Sequence, residues 1–476
     1  MAVGEGPFVV GVDSSTQSTK ALVVDVATGE VVASGQAAHR VSGNGGARES
    51  DPEQWWAALV EALEKCGPVV ERAGAVSVGG QQHGLVTLDA VGLPVRPALL
   101  WNDTRSAPQA ARLVEALGGP KAWAERVGSV PGASFTAAKW AWLAEHEPEA
   151  VAATAAVRLP HDYLTGRLTG RGTTDRGDAS GTGWWAAADE AYDDGILGLV
   201  GLDRALLPEV VGPGDAAGTV RGGLPLAEGT LVAAGTGDNA AAALGLGLRP
   251  GEPVLSLGTS GTVYAVARSR SADPTGTVAG FADARGEWLP LACTLNCTLA
   301  VDRIAGLLGR EREDVEAGGS VTVLPFLDGE RTPNLPSASG LLHGLRHDTT
   351  GGQVLQAAYD GAVYALLDAL DRVLAVDGDA PDDTPLLLIG GGARGTAWRQ
   401  TVRRLSGRPV RVPRAGELVA LGAAAQAAAL VTGADAAEIA RRWGTADGPV
   451  LDAVERDEEA LARIGAVLGG AGPLLS

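Results

Sequence analysis

The sequence predicts an α/β protein of two lobes. Three observations lead there. Short apolar, β-rich runs alternate with helical periodicity in both halves of the chain. A unit of strand, Thr/Ser-rich turn and returning strand opens the first half at residues 8–25 and recurs at 254–267, a weak internal repeat on the scale of half a chain. A length of 476 residues supplies material for two or three domains with cores of their own.

Residues 8–12 form a continuous β-rich run, the polar turn Asp13 to Thr19 follows, and Lys20 leads into a second strand at 21–25. Thr28-Gly29-Glu30 turns the chain into a third strand near 31–36. Asp51-Pro52-Glu53 starts a helix to about residue 65, with Asp as cap, Pro in the first turn and an acid beside it. A buried strand is expected at 76–79, and helices at 106–117 and 137–146. The second half begins with a strand at 231–234, the turn Gly235-Thr236-Gly237-Asp238 and an alanine-rich helix. Strands at 254–257 and 262–267 flank the turn at 258–261. A helix at 352–376, a strand at 385–389, a glycine turn, a helix at 396–406, a strand at 409–412 and an alanine-rich helix at 417–431 complete the pattern. Residues 1–246 are expected as the first lobe, 247–433 as the second and 434–476 as a helical tail packed on the second. The segment 245–252 is the expected hinge.

Lys and Arg number 38 against 57 Asp and Glu, a formal charge of -19. That balance argues against a nucleic-acid or anionic-membrane surface. It leaves nucleotide phosphates open, because backbone N–H groups and a metal ion hold them without net positive charge. The three cysteines, Cys66, Cys293 and Cys297, are too few and too widely spaced for a disulfide framework or a zinc site, and are expected to be buried small residues. No apolar run has the length of a membrane span and the N-terminus has no signal pattern, so a cytoplasmic protein is expected.

No Walker A pattern is present, yet three glycine- or hydroxyl-rich turns each follow a strand. In the first, Asp13 to Lys20, exposed N–H and hydroxyl groups suit phosphate oxygens, Asp13 suits Mg²⁺ and Lys20 offers a cation. Gly258-Thr259-Ser260-Gly261 repeats that chemistry in the other half, and small residues there let backbone approach phosphate closely. The third, Gly390 to Gly395, fits G-x-G-x-x-G, which keeps a dinucleotide-binding oxidoreductase open. Asp238 lies between a strand and a helix, as a helix cap or as the carboxylate that takes a proton from an attacking hydroxyl. Gln81-Gln82-His83-Gly84 and Trp101-Asn102-Asp103-Thr104-Arg105 bring amide, imidazole, carboxylate and guanidinium groups to strand ends, the donors and acceptors that sugar hydroxyls need.

Taken together these segments resemble the FGGY carbohydrate kinases. Asp13 to Lys20 is similar to the family pattern Asp-x-Gly-Thr-x-Ser-x-Lys, with Ser15 in place of the glycine. The stretches Asp51 to Trp56, Gln81 to Gly84, Leu100 to Arg105, Ser134 to Leu143, Leu159 to Leu164, Gly235 to Ala241, Gly258 to Gly261, Gly329 to Pro333, Gly390 to Arg394 and Trp398 to Gln400 resemble further family blocks in consistent order. The resemblance spans about residues 8–430. It implies two ribonuclease-H-like lobes of the actin/hexokinase type, with ATP and Mg²⁺ in the cleft between them. It implies phosphorylation of D-xylulose to its 5-phosphate, with another ketose or polyol, or a sugar-independent ATPase, as alternatives. Asp238 would then be the general base and Asp13 the support for Mg·ATP. Thr16 and Lys20 would lie near the transferred phosphate, Gly258, Thr259 and Ser260 would form a second phosphate loop, and Gly391, Gly392 and Ala393 would pack on the adenosine. Gln82 and His83 would contact the sugar, with Asn102, Asp103 and Asn239 as further candidates. Family members are often homodimers.

Overall fold

The computed structural model describes residues 7–378, 381 and 383–475. The part of the N-terminus before residue 7 that was read for a signal pattern lies outside the described residues. Two seven-stranded mixed sheets form the two lobes. In the first, β1 (Phe8–Ser14), β2 (Ser18–Asp25) and β3 (Val31–Ala38) make an antiparallel meander. β4 (Ala73–Gly80) runs parallel to β1 on the other side, followed outward by β6 (Leu231–Ala233) and β5 (Ala216–Thr219), with β7 (Thr236–Gly237) also beside β4. Helix α1 (Pro52–Lys65) packs Trp55, Leu59 and Leu63 against this sheet, and Asp51 Oδ1 accepts the Glu53 N–H at 3.0 Å, as the cap pattern predicts.

The second sheet repeats the plan. β8 (Pro253–Leu257) and β9 (Gly261–Ala265) form a hairpin, and β11 (Trp288–Thr294) and β10 (Ala279–Ala282) extend it antiparallel. On its other side β8 has β12 (Leu386–Ile389) and then β13 (Val410–Arg411), both parallel. The half-chain repeat read from the sequence is thus a repeat of sheet topology. β10, β11 and the helix Thr298–Leu308 were not expected from the sequence. The 24-residue helix Gly351–Leu374 is the spine of the second core; Thr350 and Gln353 close a capping box at its start.

Two helices join the lobes. α5 (Asp238–Gly245) leaves the first sheet after β7, and α9 (Leu418–Thr432) returns from the second lobe. α9 is apolar all round, which demands burial on more than one side. It packs Ala420, Ala424 and Ala428 on Val9, Leu22 and Ala75 of the first sheet, and its other side meets α5. The helix at 418–432, expected in the second lobe, thus lies between the two lobes in contact with both. The tail departs from the expectation in its first part: α10 (Ala436–Arg442) shares the core of the first sheet through Ile439 and Ala440, and Trp443 Nε1 donates to the Val26 carbonyl at 3.1 Å. From residue 450 the chain rejoins the second lobe, adding β14 (Val450–Leu451) to the sheet edge and α11 (Glu458–Gly470) to its core. The expected hinge at 245–252 is well packed, with Leu246 and Leu248 buried. Among the described residues no single helix is long and apolar enough to cross a membrane.

Backbone touches backbone where α5 crosses α9. A Cβ at Gly422 would overlap the Ala241 carbonyl oxygen, and one at Gly245 the Leu418 carbonyl oxygen. Neither neighbour is a flexible side chain. Gly422→Val is expected to lower unfolding free energy by about 3 kcal/mol or more, at the upper end for overpacking. Urea unfolding measures it; a loss under about 0.5 kcal/mol would contradict the crossing.

Candidate active site

The ends of parallel strands from both sheets open on one cleft of about 460 Å³. In the first lobe β1 delivers Asp13, the turn after β4 delivers Gln82 and His83, and the end of β7 delivers Asp238. In the second lobe β8 ends in Gly258, Thr259 and Ser260, and β12 ends in Gly390. Open α/β sheets form sites beyond the carboxyl ends of their strands for this reason: side chains and free N–H groups converge there.

Asp238 is the first residue of α5, with Gly237 in the cap position, so it does not act as the helix cap. Its Oδ1 accepts from the Asn239 backbone N–H at 2.8 Å and from Asn239 Nδ2 at 2.9 Å. Among the described residues nothing hydrogen-bonds its Oδ2. Asn239 Nδ2 also donates to Gln82 Oε1 at 2.9 Å, which ties the two strand ends together. Burial raises the Asp238 carboxyl to about 7, with the charge of Asp13 adding to the rise and Asn239 opposing it. Burial likewise raises Asp13 to about 6, against the Ser15 hydroxyl, which donates to Asp13 Oδ1 at 2.7 Å. Ser15 does not have a positive φ. The turn therefore has no steric need for the glycine that Ser15 replaces.

His83 is one of three non-glycine residues with positive φ among those described, at 63°. Strain of this kind persists where surroundings over-determine it. Its ring stacks on Phe135 at 5.1 Å, and its Nδ1 lies 2.7 Å from the Gly181 carbonyl. Burial, with Lys139 and Arg331 nearby, pushes its pKa down to about 3. The ring is thus neutral, Nδ1 carries the proton and Nε2 is an acceptor. Lys139, buried and pushed down to about 7 by desolvation against the opposing charge of Asp103, donates to the carbonyls of Ala133 and Ser134 beneath this wall.

Behind the cleft His161 lies fully buried, its Nε2 3.2–3.3 Å from Asp162, Asp175 and Asp178. Burial alone would lower its pKa; the three carboxylates outweigh that and hold it at about 9. Asp175 Oδ2 accepts the Thr236 hydroxyl at 2.8 Å, so this cluster braces the strand that ends at Asp238.

The structure brings Asp13, Gln82, His83, Asp238, Asn239, Gly258, Thr259 and Ser260 to one wall system. Thr16 sits at the hairpin tip, where its hydroxyl accepts from Trp101 Nε1 at 3.2 Å. Lys20 pairs with Glu417 at 2.6 Å, a bond from the first-lobe hairpin to the residue before α9. Neither Thr16 nor Lys20 lines the cleft. Asn102 does not line it either; its neighbour Trp101 does. Asp103 requires correction as a sugar ligand. It is 1% exposed and accepts from the N–H groups of Arg48 (2.8 Å) and Arg105 (3.1 Å) and from the Arg105 guanidinium (2.7 Å). Burial works against its charge, but those partners lower its pKa. Its acceptors are spent on fixing the loop that presents Trp101. Ala393 also needs correction: it is 2% exposed, in the core of the second lobe, and Gly392 is packed on Leu257 and Thr298, while Gly390 and Gly391 stay exposed. Cys293, expected to be buried, lies half-buried on the cleft wall, whereas Cys66 and Cys297 are buried. Sequence reasoning missed Tyr264, Phe281, Glu417 and Arg331 on the wall. Arg331 had a signal, since it stands inside the quoted stretch Gly329 to Pro333; the others had none.

Two lobes of one sheet topology, one bringing Asp13 and Asp238 and the other the Gly258–Ser260 turn to a shared acidic cleft, have the architecture of a two-lobed phosphotransferase of the actin/hexokinase class. Comparison with known proteins refines this. Residues 8–245 match the N-terminal domain of the FGGY family of carbohydrate kinases, and residues 254–431 its C-terminal domain. A xylulose kinase of Streptomyces rubiginosus is 76% identical over 477 residues, covering 100% of this chain and 98% of that protein. A xylulose kinase of Escherichia coli is 35% identical, covering 87% of this chain and 88% of its own. The crystal structure of xylulose kinase from Bifidobacterium adolescentis superposes with a TM-score of 0.85 at 37% identity, over 98% of this chain and 100% of that one. The chain belongs to the FGGY family of carbohydrate kinases.

Asp103→Asn places an amide N–H₂ among donors alone. It is expected to cost on the order of 2 kcal/mol of stability. The KM for sugar in steady-state assays is expected to stay within about twofold of the parent. A KM raised more than tenfold in a stably folded variant would restore Asp103 as a ligand.

Proposed function

We propose that this protein transfers the γ-phosphoryl group of Mg·ATP to the 5-hydroxyl of D-xylulose, giving D-xylulose 5-phosphate and ADP. The observation that carries the reading is the free Oδ2 of Asp238, at a strand end between two phosphate-type hairpin tips. The full-length likeness to xylulose kinases supports the choice of ketopentose.

The chemistry follows from the geometry. Asp238 Oδ2 takes the proton as O5 attacks the γ-phosphorus, the bond from phosphorus to the bridging oxygen breaks, and ADP leaves. A carboxylate held up to about 7 is a better match to this task than an ordinary one of about 4. Asn239 fixes the other oxygen, so that the free one faces the cleft. The acceptor Nε2 of His83 and the amide of Gln82 orient sugar hydroxyls. The turn at 258–260 holds phosphate oxygens. The exposed edge Gly390–Gly391 is where the adenosine lies; Gly392 and Ala393 support it from within. A magnesium ion bound with the nucleotide would neutralise charge on its phosphates. Asp13 suits it as a ligand, directly or through water, and among the described residues no cluster of three or more His, Cys, Asp or Glu holds a metal without help from phosphate. Residues 1–246 would thus supply the sugar side and the first phosphate loop, and 247–433 the second loop and the adenosine edge.

Sugar-dependent ADP release over a panel of ketoses and polyols tests the reading. D-xylulose is expected to give the highest kcat/KM. A preference for another sugar would move the substrate within the family, and ADP release indifferent to sugar would reject kinase action. NADH binding in place of Mg·ATP binding would favour the oxidoreductase alternative. Asp238→Asn is expected to lower kcat by about 10²–10⁴ with ATP affinity nearly intact. The base must be ionised, so kcat/KM for the sugar is expected to fall on the order of tenfold per pH unit below about 7 and to level off above it. A profile flat down to about pH 5 would contradict the role.

A further inference from the structure

The cleft is short of positive charge for a phosphoryl-transfer site. Its wall carries Asp13, Asp238 and Glu417. Lys20 stands off the wall with its ammonium on Glu417 at 2.6 Å, and Lys139 is sealed beneath the wall on two carbonyls. The described wall contains a single Lys or Arg side chain, that of Arg331. Arg331 is exposed, and its guanidinium has no hydrogen bond or ion pair among the described residues. Its charge adds to the burial that lowers the His83 pKa and opposes the burial that raises the Cys293 thiol. The guanidinium thus stands on the same cleft wall as His83, Cys293 and Asp238.

The loop beneath it is held by a set of buried hydrogen bonds. Glu330 is 1% exposed. Its carboxylate accepts from the N–H groups of Leu295 (2.6 Å), Asn296 (3.2 Å) and Arg331 (2.7 Å) and from Asn296 Nδ2 (3.0 Å). Thr332 donates from its hydroxyl to the Cys293 carbonyl at 2.8 Å. The backbone on both sides of Arg331 is thus fastened to the end of β11, and the arginine is presented to the cleft from a rigid base. An anchored backbone with an unpartnered cation fits a group that waits for an anion.

We infer that Arg331 binds the phosphoryl group as it passes to the sugar and retains it on the phosphorylated product. The inference rests on the kinase reading of the same cleft and adds to it the cation that the other charged residues do not supply. A guanidinium contacts two equatorial oxygens of the phosphoryl group at once, in a geometry that a lysine ammonium does not reproduce.

The test uses the full-length protein and its Arg331→Met and Arg331→Lys variants, with D-xylulose and D-xylulose 5-phosphate as probes. Arg331→Met is expected to lower kcat by about 10²–10³ and to weaken D-xylulose 5-phosphate binding at least about tenfold by calorimetry, with D-xylulose affinity within about threefold of the parent. Arg331→Lys is expected to fall between the two. Arg331→Met with parental kcat and parental product affinity would overturn the inference and leave the kinase reading intact. Equal losses for sugar and sugar phosphate would also overturn it, since a structural role moves both. Absence of sugar-dependent ADP release in the unaltered protein would overturn the kinase reading itself, and this inference with it.

Discussion

The close crossing of α5 and α9 is the constraint on which the rest of the molecule depends. Each lobe has its own sheet and core, and so each could take many positions relative to the other. The glycine contacts at Gly245 and Gly422 remove that freedom at one point, because backbone there meets backbone. α5 begins at Asp238 and α9 follows directly on Glu417. The crossing therefore fixes two acids of the cleft as well as the lobes. It also explains an alanine-rich helix with no polar face: every side of α9 has a partner.

Electrostatics complete the design. The carboxylates of Asp13 and Asp238 share a partly dry cleft with few cations, and both are held above their ordinary range. For a protein that only had to be stable this would be a poor arrangement. It is useful for one that must keep a base of moderate strength ready beside an anionic substrate. The brace around His161 shows the complementary tactic: a buried imidazolium is set among three carboxylates, where it offsets charge that would otherwise destabilise the strand leading to Asp238.

Much of this was legible in the sequence, for physical reasons. Strands with continuous apolar runs, such as Phe8–Ser14, and helices with clear caps, such as the one begun by Asp51, declare themselves locally. Turns after strands declare site chemistry, which is how Asp13, Gln82, His83, Asp238 and the turn at 258–260 were found. What local pattern does not carry is the partner across the chain. Asp103 looked like a sugar ligand because its engagement with Arg48, 55 residues away, has no trace in its own neighbourhood. Ala393 looked accessible because a glycine turn hides which of its residues faces inward. The placement of α9 on the first sheet was missed for a similar reason. Composition shows that a helix must be buried, but not against what.

The central claim is that Asp238 is a desolvated carboxylate whose proton affinity is raised by burial and by the charge of Asp13 on the same lobe. The most direct measurement is a ¹³C NMR titration of its side-chain carboxyl in aspartate-labelled protein, assigned by its disappearance in Asp238→Asn. The account predicts a midpoint near 7 that moves down when Asp13→Asn removes the neighbouring charge. A midpoint near 4, indifferent to that substitution, would contradict it.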